Sequence, residues 1–450
     1  MKRHAKSFLL ASILLSASCE GRSSLDMLTA GIGGTPSFGD VTVTGGTYWT
    51  SGMNATGGST TFARTSTDGT PSTGDSASMG GNKATGGTTA SAGTLSTGGS
   101  TNTKLIAKTI SSGFNHTCAL TDNSVQCWGD NSVGELGNGT TTDSSVPVTV
   151  SGVTGGPLIA IAAGYAHTCA LFGRVACGYK SCSELVGGTV QCWGDNRVGE
   201  LGNGTTTGGS VPVTVSGITN ATAVAAGYGQ TCAVLSSGTV QCWGDNSVGE
   251  LGNGTTTGSS VPVTVSGITN AVVDDGNYSS TRDRAIAAGN LYTCAVLSSG
   301  TVQCWGDNSV GELGNGTTTG SSVPVTVSGI TNATAVAAGY DHTCAVLTDG
   351  TVRCWGDNSV GELGNGTTTG SSVPVTVSGV WNSAAAVAAG YAHTCAVLDT
   401  PVFDHVNWYG NGNSVLVAGG TAQCWGDNSV GELGNGTTTS SSVPVTVSGF

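Results

Sequence analysis

The chain has 450 residues, of which 75 are glycine and only 9% are charged, and this composition favours turns and short strands over helices. Its formal net charge is −13, with 14 lysines and arginines against 27 aspartates and glutamates. Because binding to nucleic acid or anionic lipid needs clustered cations, the charge balance argues against both functions.

Residues 1–18 have the order of a secretory signal peptide. Basic residues come first, followed by an apolar stretch too short to span a bilayer and by small residues before Cys19. Two interpretations stay open: a bacterial lipobox with acylation of Cys19, or ordinary cleavage after Ser18. Acylation is favoured because Cys19 is left over when the other cysteines are paired. We therefore expect an exported protein, either secreted or held in the cell envelope (outer membrane or surface), that contacts a membrane only through a lipid anchor.

Residues 19–103 predict a disordered tether. Glycine, serine and threonine dominate this region, and no apolar periodicity is present to bury surface. The folded part is expected over residues 104–450.

A unit of about fifty residues is repeated six times in this folded part. One copy contains four short runs rich in valine, threonine and alanine, each bounded by glycine or serine: 222–226, 231–235, 239–243 and 261–266. No helical apolar period is present. The pattern predicts an all-β fold, a β-propeller of six or seven four-stranded blades.

The two ends of the repeat array complement each other. The first unit opens at residues 106–111 without a preceding Val-Pro-Val-Thr-Val run, and the last unit ends with such a run at Val443–Val447. We expect this C-terminal strand to complete the first blade and close the ring, because closure removes exposed sheet edges.

The cysteines test the strand pairing. A three-residue loop at 236–238 would place Leu235 opposite Thr239, and Cys232 then falls opposite Cys242. The first unit has a loop one residue shorter, yet Cys118 still falls opposite Cys127. Disulfides are expected, in an oxidising compartment, and zinc ligation is disfavoured because the spacing is not of the zinc type. The predicted pairs are Cys118–Cys127, Cys169–Cys192, Cys177–Cys182, Cys232–Cys242, Cys294–Cys304, Cys344–Cys354 and Cys395–Cys424.

The unit resembles the repeat of the regulator of chromosome condensation family, including its exported bacterial members. The matching segments in one copy are 338–347, 350–358, 361–366 and 373–377. The resemblance implies a ring-shaped propeller, usually of seven blades, that binds proteins through loops on one face. Relatives act as an exchange factor for a small GTPase or as secreted inhibitors of β-lactamases. This chain differs by its six units, its disulfides and a glutamate where the family often has glutamine.

Most repeated polar and aromatic groups are expected to be structural. The Asp-Asn-Ser-Val-Gly-Glu segment should shape a long crossover rather than bind a cation. Histidine recurs at one position in four units and should hydrogen-bond a neighbouring blade, and the repeated tryptophan should pack between blades. No metal, cofactor or catalytic motif is predicted, so we expect a protein that is not an enzyme.

Three insertions, at 172–188, 272–284 and 401–419, depart from the repeat and are expected to lie on one face. Their aromatic and polar residues resemble a binding hot spot, although neutral loop variation is the alternative. The candidate partner-binding residues are Phe403, Asp404, His405, Trp408, Tyr409, Tyr179, Lys180, Tyr278 and Arg282. The sequence therefore predicts a monomer that binds a protein partner; the alternatives are a GTPase exchange factor and a carbohydrate-binding or structural envelope protein.

Overall fold

The computed structural model describes residues 107–121, 124–154, 156–177, 182–273, 285–380, 384–402 and 417–449. The predicted signal peptide, Cys19 and the tether lie outside these residues. Within them the chain forms 24 β-strands. The strands make four separate four-stranded sheets and one eight-stranded sheet, which is two four-stranded units joined by a single pairing of Gly188 with Ala221.

Each four-stranded unit, called a sheet below, is an antiparallel series of consecutive strands. The first strands of the six sheets are β1 (Ala107–Ser112), β5 (Leu158–Ala163), β9 (Ala221–Ala226), β13 (Ile286–Ala288), β17 (Ala333–Ala338) and β21 (Ala384–Ala389). The second strands are β2 (His116–Thr121), β6 (His167–Cys177), β10 (Gln230–Leu235), β14 (Tyr292–Val296), β18 (His342–Leu347) and β22 (His393–Val402). The third strands are β3 (Val125–Gly129), β7 (Cys182–Gly194), β11 (Val240–Gly244), β15 (Val302–Gly306), β19 (Val352–Gly356) and β23 (Val417–Gly426). The fourth strands are β4 (Ser144–Thr149), β8 (Gly209–Thr214), β12 (Ser259–Thr264), β16 (Ser321–Thr326), β20 (Ser371–Thr376) and β24 (Ser441–Thr446).

This arrangement confirms the all-β prediction and the four strands per repeat. In the third sheet the observed strands β9 to β12 lie within two residues of the four predicted runs. The pairing also agrees with the loop-length argument, because Cys232 faces Cys242 and Cys118 faces Cys127.

The sheets are arranged with their first strands innermost. First strands of successive sheets pack against one another. Fourth strands alternate between partly buried and exposed residues, with Val211 of β8 44% exposed, whereas the second strand β10 is buried throughout. This gradient places the fourth strands at the outer edge.

The apolar core lies between neighbouring sheets. Trp243 of the third sheet belongs to the same buried cluster as Leu171, Val190 and Leu201 of the second sheet. Alanine fills many first-strand positions, where the sheets converge, and tryptophan fills third-strand positions, where they are further apart. Burying an aromatic side chain of this size is a main source of stabilisation for a fold with few charged residues.

Two hydrogen bonds recur at the five interfaces between successive sheets. In the first, the indole Nε1 of one sheet donates to a glutamate carbonyl of the preceding sheet, as Trp243 donates to Glu200 at 2.8 Å. The equivalent pairs are Trp193–Glu135, Trp305–Glu250, Trp355–Glu312 and Trp425–Glu362. In the second, a crossover glycine N–H donates to a serine carbonyl of the next sheet, as Gly204 donates to Ser260 at 2.8 Å.

The sixth and first sheets meet differently. Phe114 of the first sheet and Tyr391 of the sixth sheet are in edge-on contact, with ring centroids 6.3 Å apart. Among the described residues, however, neither Trp128 nor Gly436 has the hydrogen bond that its counterparts make, and Trp128 is only half-buried. We call this junction the seam.

The predicted closure by the C-terminal strand is wrong. β24 pairs with β23 of its own sheet, with Gln423 opposite Thr446, and the first sheet takes its fourth strand from β4. The Val-Pro-Val-Thr run pairs with the strand that precedes it along the chain. The first sheet therefore needs no strand from the C-terminus.

Six disulfides are present in the described structure. Each joins the second and third strands of one sheet. They are Cys118–Cys127, Cys169–Cys192, Cys232–Cys242, Cys294–Cys304, Cys344–Cys354 and Cys395–Cys424. For the further predicted pair, the backbone register places Cys177 opposite Cys182.

Candidate functional site

The sheets present two faces. The hairpin face carries the loops between second and third strands and the connections between sheets; Ser236 N donates to Asn220 O across these two elements at 2.8 Å. The turn face carries the short turns between first and second strands and the crossover loops between third and fourth strands; Asp245 N donates to Gly229 O there, also at 2.8 Å. This division agrees with the strand-direction count made from the sequence.

The hairpin face carries two of the predicted insertions. The first lengthens β6 and β7, and the third lengthens β22 and β23, where Val402 pairs with Val417. The tips of these hairpins and most of the second insertion lie outside the described residues. So do all the candidate partner-binding residues: Phe403, Asp404, His405, Trp408, Tyr409, Tyr179, Lys180, Tyr278 and Arg282.

The recurring histidine links one sheet to the next. His167 Nε2 lies 2.8 Å from Thr231 Oγ1, and that hydroxyl donates its hydrogen to the carbonyl of Glu200. The imidazole must therefore carry its proton on Nε2. Burial lowers the pKa of His167 to about 3, so the ring is neutral. Gln230 and Tyr292 make backbone hydrogen bonds to the next sheet from the same position, which supports the structural interpretation.

The polar side chains of the repeated Asp-Asn-Ser-Val-Gly-Glu segment also make structural hydrogen bonds. Asn246 Nδ2 donates to the carbonyls of Thr255 and Thr257, while its Oδ1 accepts from Leu251 N at 2.9 Å. Glu250 Oε2 accepts from Val248 N at 2.9 Å. These bonds satisfy buried backbone groups of the crossover and hold it in one shape.

The described residues contain no group of three or more histidine, cysteine, aspartate or glutamate side chains that could hold a metal ion. In the same part of the chain, no helix has the length and apolarity needed to cross a bilayer.

Five aromatic side chains converge on the turn face, and we call them the aromatic collar: Phe114, Tyr165, Tyr228, Tyr340 and Tyr391. Phe114 and Tyr165 stack with centroids 4.6 Å apart, and the pairs Tyr165–Tyr228 and Tyr340–Tyr391 are each separated by 4.4 Å. Each collar residue follows a glycine in the turn between a first and a second strand, which places it near the common axis.

The collar is open to solvent. The exposed fractions are 41% for Phe114, 38% for Tyr165, 42% for Tyr228 and 59% for Tyr391. The interface tryptophans of the second to sixth sheets are, in contrast, fully buried. A contiguous set of exposed aromatic rings is characteristic of a binding surface rather than of a surface left to water.

Carboxylates surround the collar. Each crossover loop starts with a half-buried aspartate: Asp130, Asp195, Asp245, Asp307, Asp357 and Asp427. Between the fifth and sixth sheets, a groove of about 330 Å³ is lined by Tyr340, Tyr391, Asp341, Asp357 and Asp427, among others. A second groove, of about 400 Å³, spans the first three sheets and is lined by Tyr165, Tyr228, Asp130, Asp195 and Asp245, among others.

The electrostatics of the first groove reflect this crowding. Burial, followed by repulsion from Asp357 and Asp307, raises the pKa of Asp341. Burial also raises the pKa of Tyr340, with Tyr391 and Asp341 adding to the effect. The groove is therefore an aromatic and negatively charged environment.

Sequence reasoning did not identify the collar. The available signal was an aromatic residue directly after the turn glycine in five of the six units, with Asn290 at the sixth position. The meaning of that signal depends on the turns meeting at one axis, which a single repeat does not show.

Comparison with known proteins agrees with the fold. Family models of the regulator of chromosome condensation (RCC1) repeat match residues 107–135, 221–250, 284–312 and 333–362, and also 122–171, 187–234, 299–346 and 349–397. Together these matches cover more than half of the chain.

Curated relatives match over shorter spans. The human E3 ubiquitin-protein ligase HERC2 is 30% identical over 227 residues, which are 50% of this chain and 4% of HERC2. The Arabidopsis thaliana ultraviolet-B receptor UVR8 is 35% identical over 127 residues, which are 28% of this chain and 26% of the receptor. The chain thus spans only a small part of each relative.

Solved structures show the same fold at low identity. Yeast RCC1 (Prp20), solved bound to Kap60, has a TM-score of 0.59 and 20% identity, with 75% of this chain and 74% of that chain covered. Human WBSCR16 has a TM-score of 0.59 and 19% identity, with 75% and 81% covered.

Proposed function

Because the chain belongs to the regulator of chromosome condensation (RCC1) repeat family, we propose that it is a binding protein, not an enzyme, whose turn face docks a protein partner. The near-identical sheets leave few places where unlike catalytic groups could converge. A ring of repeated loops is instead suited to presenting one broad surface.

The observation that carries this proposal is the exposed aromatic collar. Tyr391 is 59% exposed, whereas the interface tryptophans of the second to sixth sheets are fully buried. Tyrosine offers a large contact area at small conformational cost and is enriched where interfaces gain most of their free energy. The collar and the two grooves beside it form a continuous surface of that kind.

We further propose that the protein works outside the cytosol, anchored by acylation of Cys19. The basic, apolar and small-residue order of residues 1–18 supports export. Six disulfides in the described structure support an oxidising compartment. The exchange-factor alternative would require access to a cytosolic GTPase, and export would prevent that access.

The insertions on the hairpin face support a second binding surface. Lengthened hairpins in the second and sixth sheets extend beyond the common repeat. The candidate residues at their tips, Phe403 to Tyr409 among them, remain predictions.

Cross-linking on intact envelopes, followed by capture of the full chain, separates the two surfaces. One variant carries Tyr165→Ser, Tyr228→Ser and Tyr391→Ser, and the other deletes residues 403–416. We expect the collar variant to lose its captured partner and the deletion to keep it, with both melting cooperatively. Capture that survives the collar variant but fails in the deletion would move the site to the hairpin face.

A further inference from the structure

We infer that the turn face recognises a basic protein segment, whose arginine or lysine side chains sit between collar tyrosines and crossover aspartates in the groove of the fifth and sixth sheets. This inference rests on the proposed use of the turn face for docking, and it adds the chemistry of the partner.

Two tyrosines form the aromatic side of the groove. Tyr340 and Tyr391 lie with ring centroids 4.4 Å apart at 42° to each other, and Tyr391 is well exposed. The face of such a ring carries negative electrostatic potential and attracts an organic cation. A guanidinium can stack on the ring while keeping its N–H groups free for carboxylates.

Three carboxylates complete the groove. Asp341, Asp357 and Asp427 line it together with the two tyrosines, and no lysine or arginine is among the residues that line it. Burial, followed by repulsion from Asp357 and Asp307, destabilises the ionised form of Asp341 and raises its pKa. A cation bound in the groove relieves this repulsion. A positively charged ligand is therefore complementary to the negative charge of the groove.

In the second groove, an arginine of this chain already pairs with a crossover aspartate. Arg197 Nε lies 3.1 Å from Asp195 Oδ1, at the start of the crossover loop of the second sheet. The residue equivalent to Arg197 in the fifth sheet is Ser359, whose hydroxyl donates to Asp357 Oδ2 at 2.8 Å. The crossover aspartate is thus positioned to accept a guanidinium, and neither the equivalent position of the fifth sheet nor any described residue that lines its groove supplies one.

A buried imidazole adds an acceptor to the second groove. His167 lines it, is 1% exposed, and has a neutral ring whose proton is on Nε2. Its Nδ1 has no hydrogen-bond partner among the described residues. An unpaired acceptor on a residue that lines a groove with three aspartates matches a ligand that brings N–H donors.

The exposed aromatic surface favours an organic cation over a metal ion. The groove offers tyrosine faces beside its carboxylates, whereas hard metal ions need a compact set of oxygen ligands. The collar residues and the crossover aspartates repeat from one sheet to the next on the turn face. This face can therefore bind several basic side chains of one segment at once.

The test is fluorescence anisotropy of a labelled peptide with six arginines separated by glycines, titrated with the full chain at low salt. Asp341→Asn and Asp349→Asn change the net charge equally, but Asp349 lies on the hairpin face, in the loop before β19. We expect Asp341→Asn and Tyr391→Leu each to weaken binding about two- to five-fold. Tyr391→Phe and Asp349→Asn should bind as the wild type does.

Equal weakening by Asp341→Asn and Asp349→Asn would show only general attraction to an acidic protein and would overturn the inference. Absence of peptide binding would overturn it as well. If the collar variant still fails to capture its partner in that case, the docking function stands and only the basic chemistry of the partner is rejected.

Discussion

At the scale of single residues, the indole-to-carbonyl bond is the most regular contact between sheets. Trp243 is fully buried and donates to Glu200 O, whereas Trp128 at the seam is half-buried and lacks that partner. Trp243→Phe removes the hydrogen bond and part of the buried ring, so we expect a loss of about 2–4 kcal/mol in the free energy of unfolding. Trp128→Phe is the matched control and should cost less than about 1.5 kcal/mol. Urea denaturation measures both, and equal losses would contradict the role given to the interface bond.

The crossover glutamates make stability depend on pH. Burial raises the pKa of Glu312 from its ordinary value of 4.5 to about 7. Between these values the folded state keeps a proton that the unfolded chain has released, so this group's contribution to stability falls as the pH rises from 4.5 through 7. A glutamine in place of Glu312 would not titrate, and its side-chain oxygen would still accept the hydrogen bond from Val310 N.

Glu312→Gln should therefore melt at a higher temperature than the wild type at pH 8 and at a similar temperature at pH 4. Thermal melts across this range give the difference curve. A difference curve for Glu312→Gln that stays flat with pH would contradict the assignment.

At the scale of elements, the crossover loop of the second sheet and the connection that follows β8 each contain a left-handed glycine, and the two glycines have different neighbours. Gly202 has φ +62°, and an added Cβ would lie 2.7 Å from Trp243 Nε1. Gly217 has φ +74°, and an added Cβ would meet nothing within 4 Å. Both positions are left-handed, but only Gly202 is also crowded.

We expect Gly217→Ala to cost about 1 kcal/mol, the usual penalty of the left-handed region. Gly202→Ala should cost at least about 3 kcal/mol, since the indole must also move. Chemical denaturation of the two variants tests this order. Similar values for both would mean that the interface adjusts to a methyl group without loss.

The elements also show what a sequence can and cannot predict here. The strands and their register follow from local information: alternating valine and threonine, turn glycines, and two loop lengths that keep Cys232 opposite Cys242 and Cys118 opposite Cys127. The pairing partner of β24 does not follow from local sequence, because the last strand of a repeat can pair with the strand before it or with a strand of another unit. The collar was missed for a related reason, since its meaning lies in contacts between units.

At the scale of the whole molecule, the seam should open more readily than the five other interfaces. Ser210 lies within 3 Å of a Cβ added at Gly134, whereas a Cβ added at Gly431 of the sixth crossover meets nothing within 4 Å. Val430 beside it is 50% exposed, against 38% for Val310. Fewer contacts mean a smaller free energy of local opening.

Hydrogen exchange can test the seam with nearly identical peptides. Residues 428–440 and 308–320 differ only in Ser440 against Gly320, and the second sequence also occurs at 246–258 and 358–370. We expect 428–440 to exchange faster than the copies in closed interfaces. Equal protection would show that the sixth crossover packs as firmly as the others do.

The short reach of the disulfides has a consequence for biosynthesis. Twelve cysteines in nearly identical surroundings could combine in many wrong ways, yet the observed partners are separated by only 9 to 29 residues. As a nascent chain emerges, each thiol encounters its correct mate before the cysteines of the next unit arrive. Order of emergence can thus select the right cross-links where sequence alone offers no discrimination, and a chain refolded all at once from the reduced state loses that guidance.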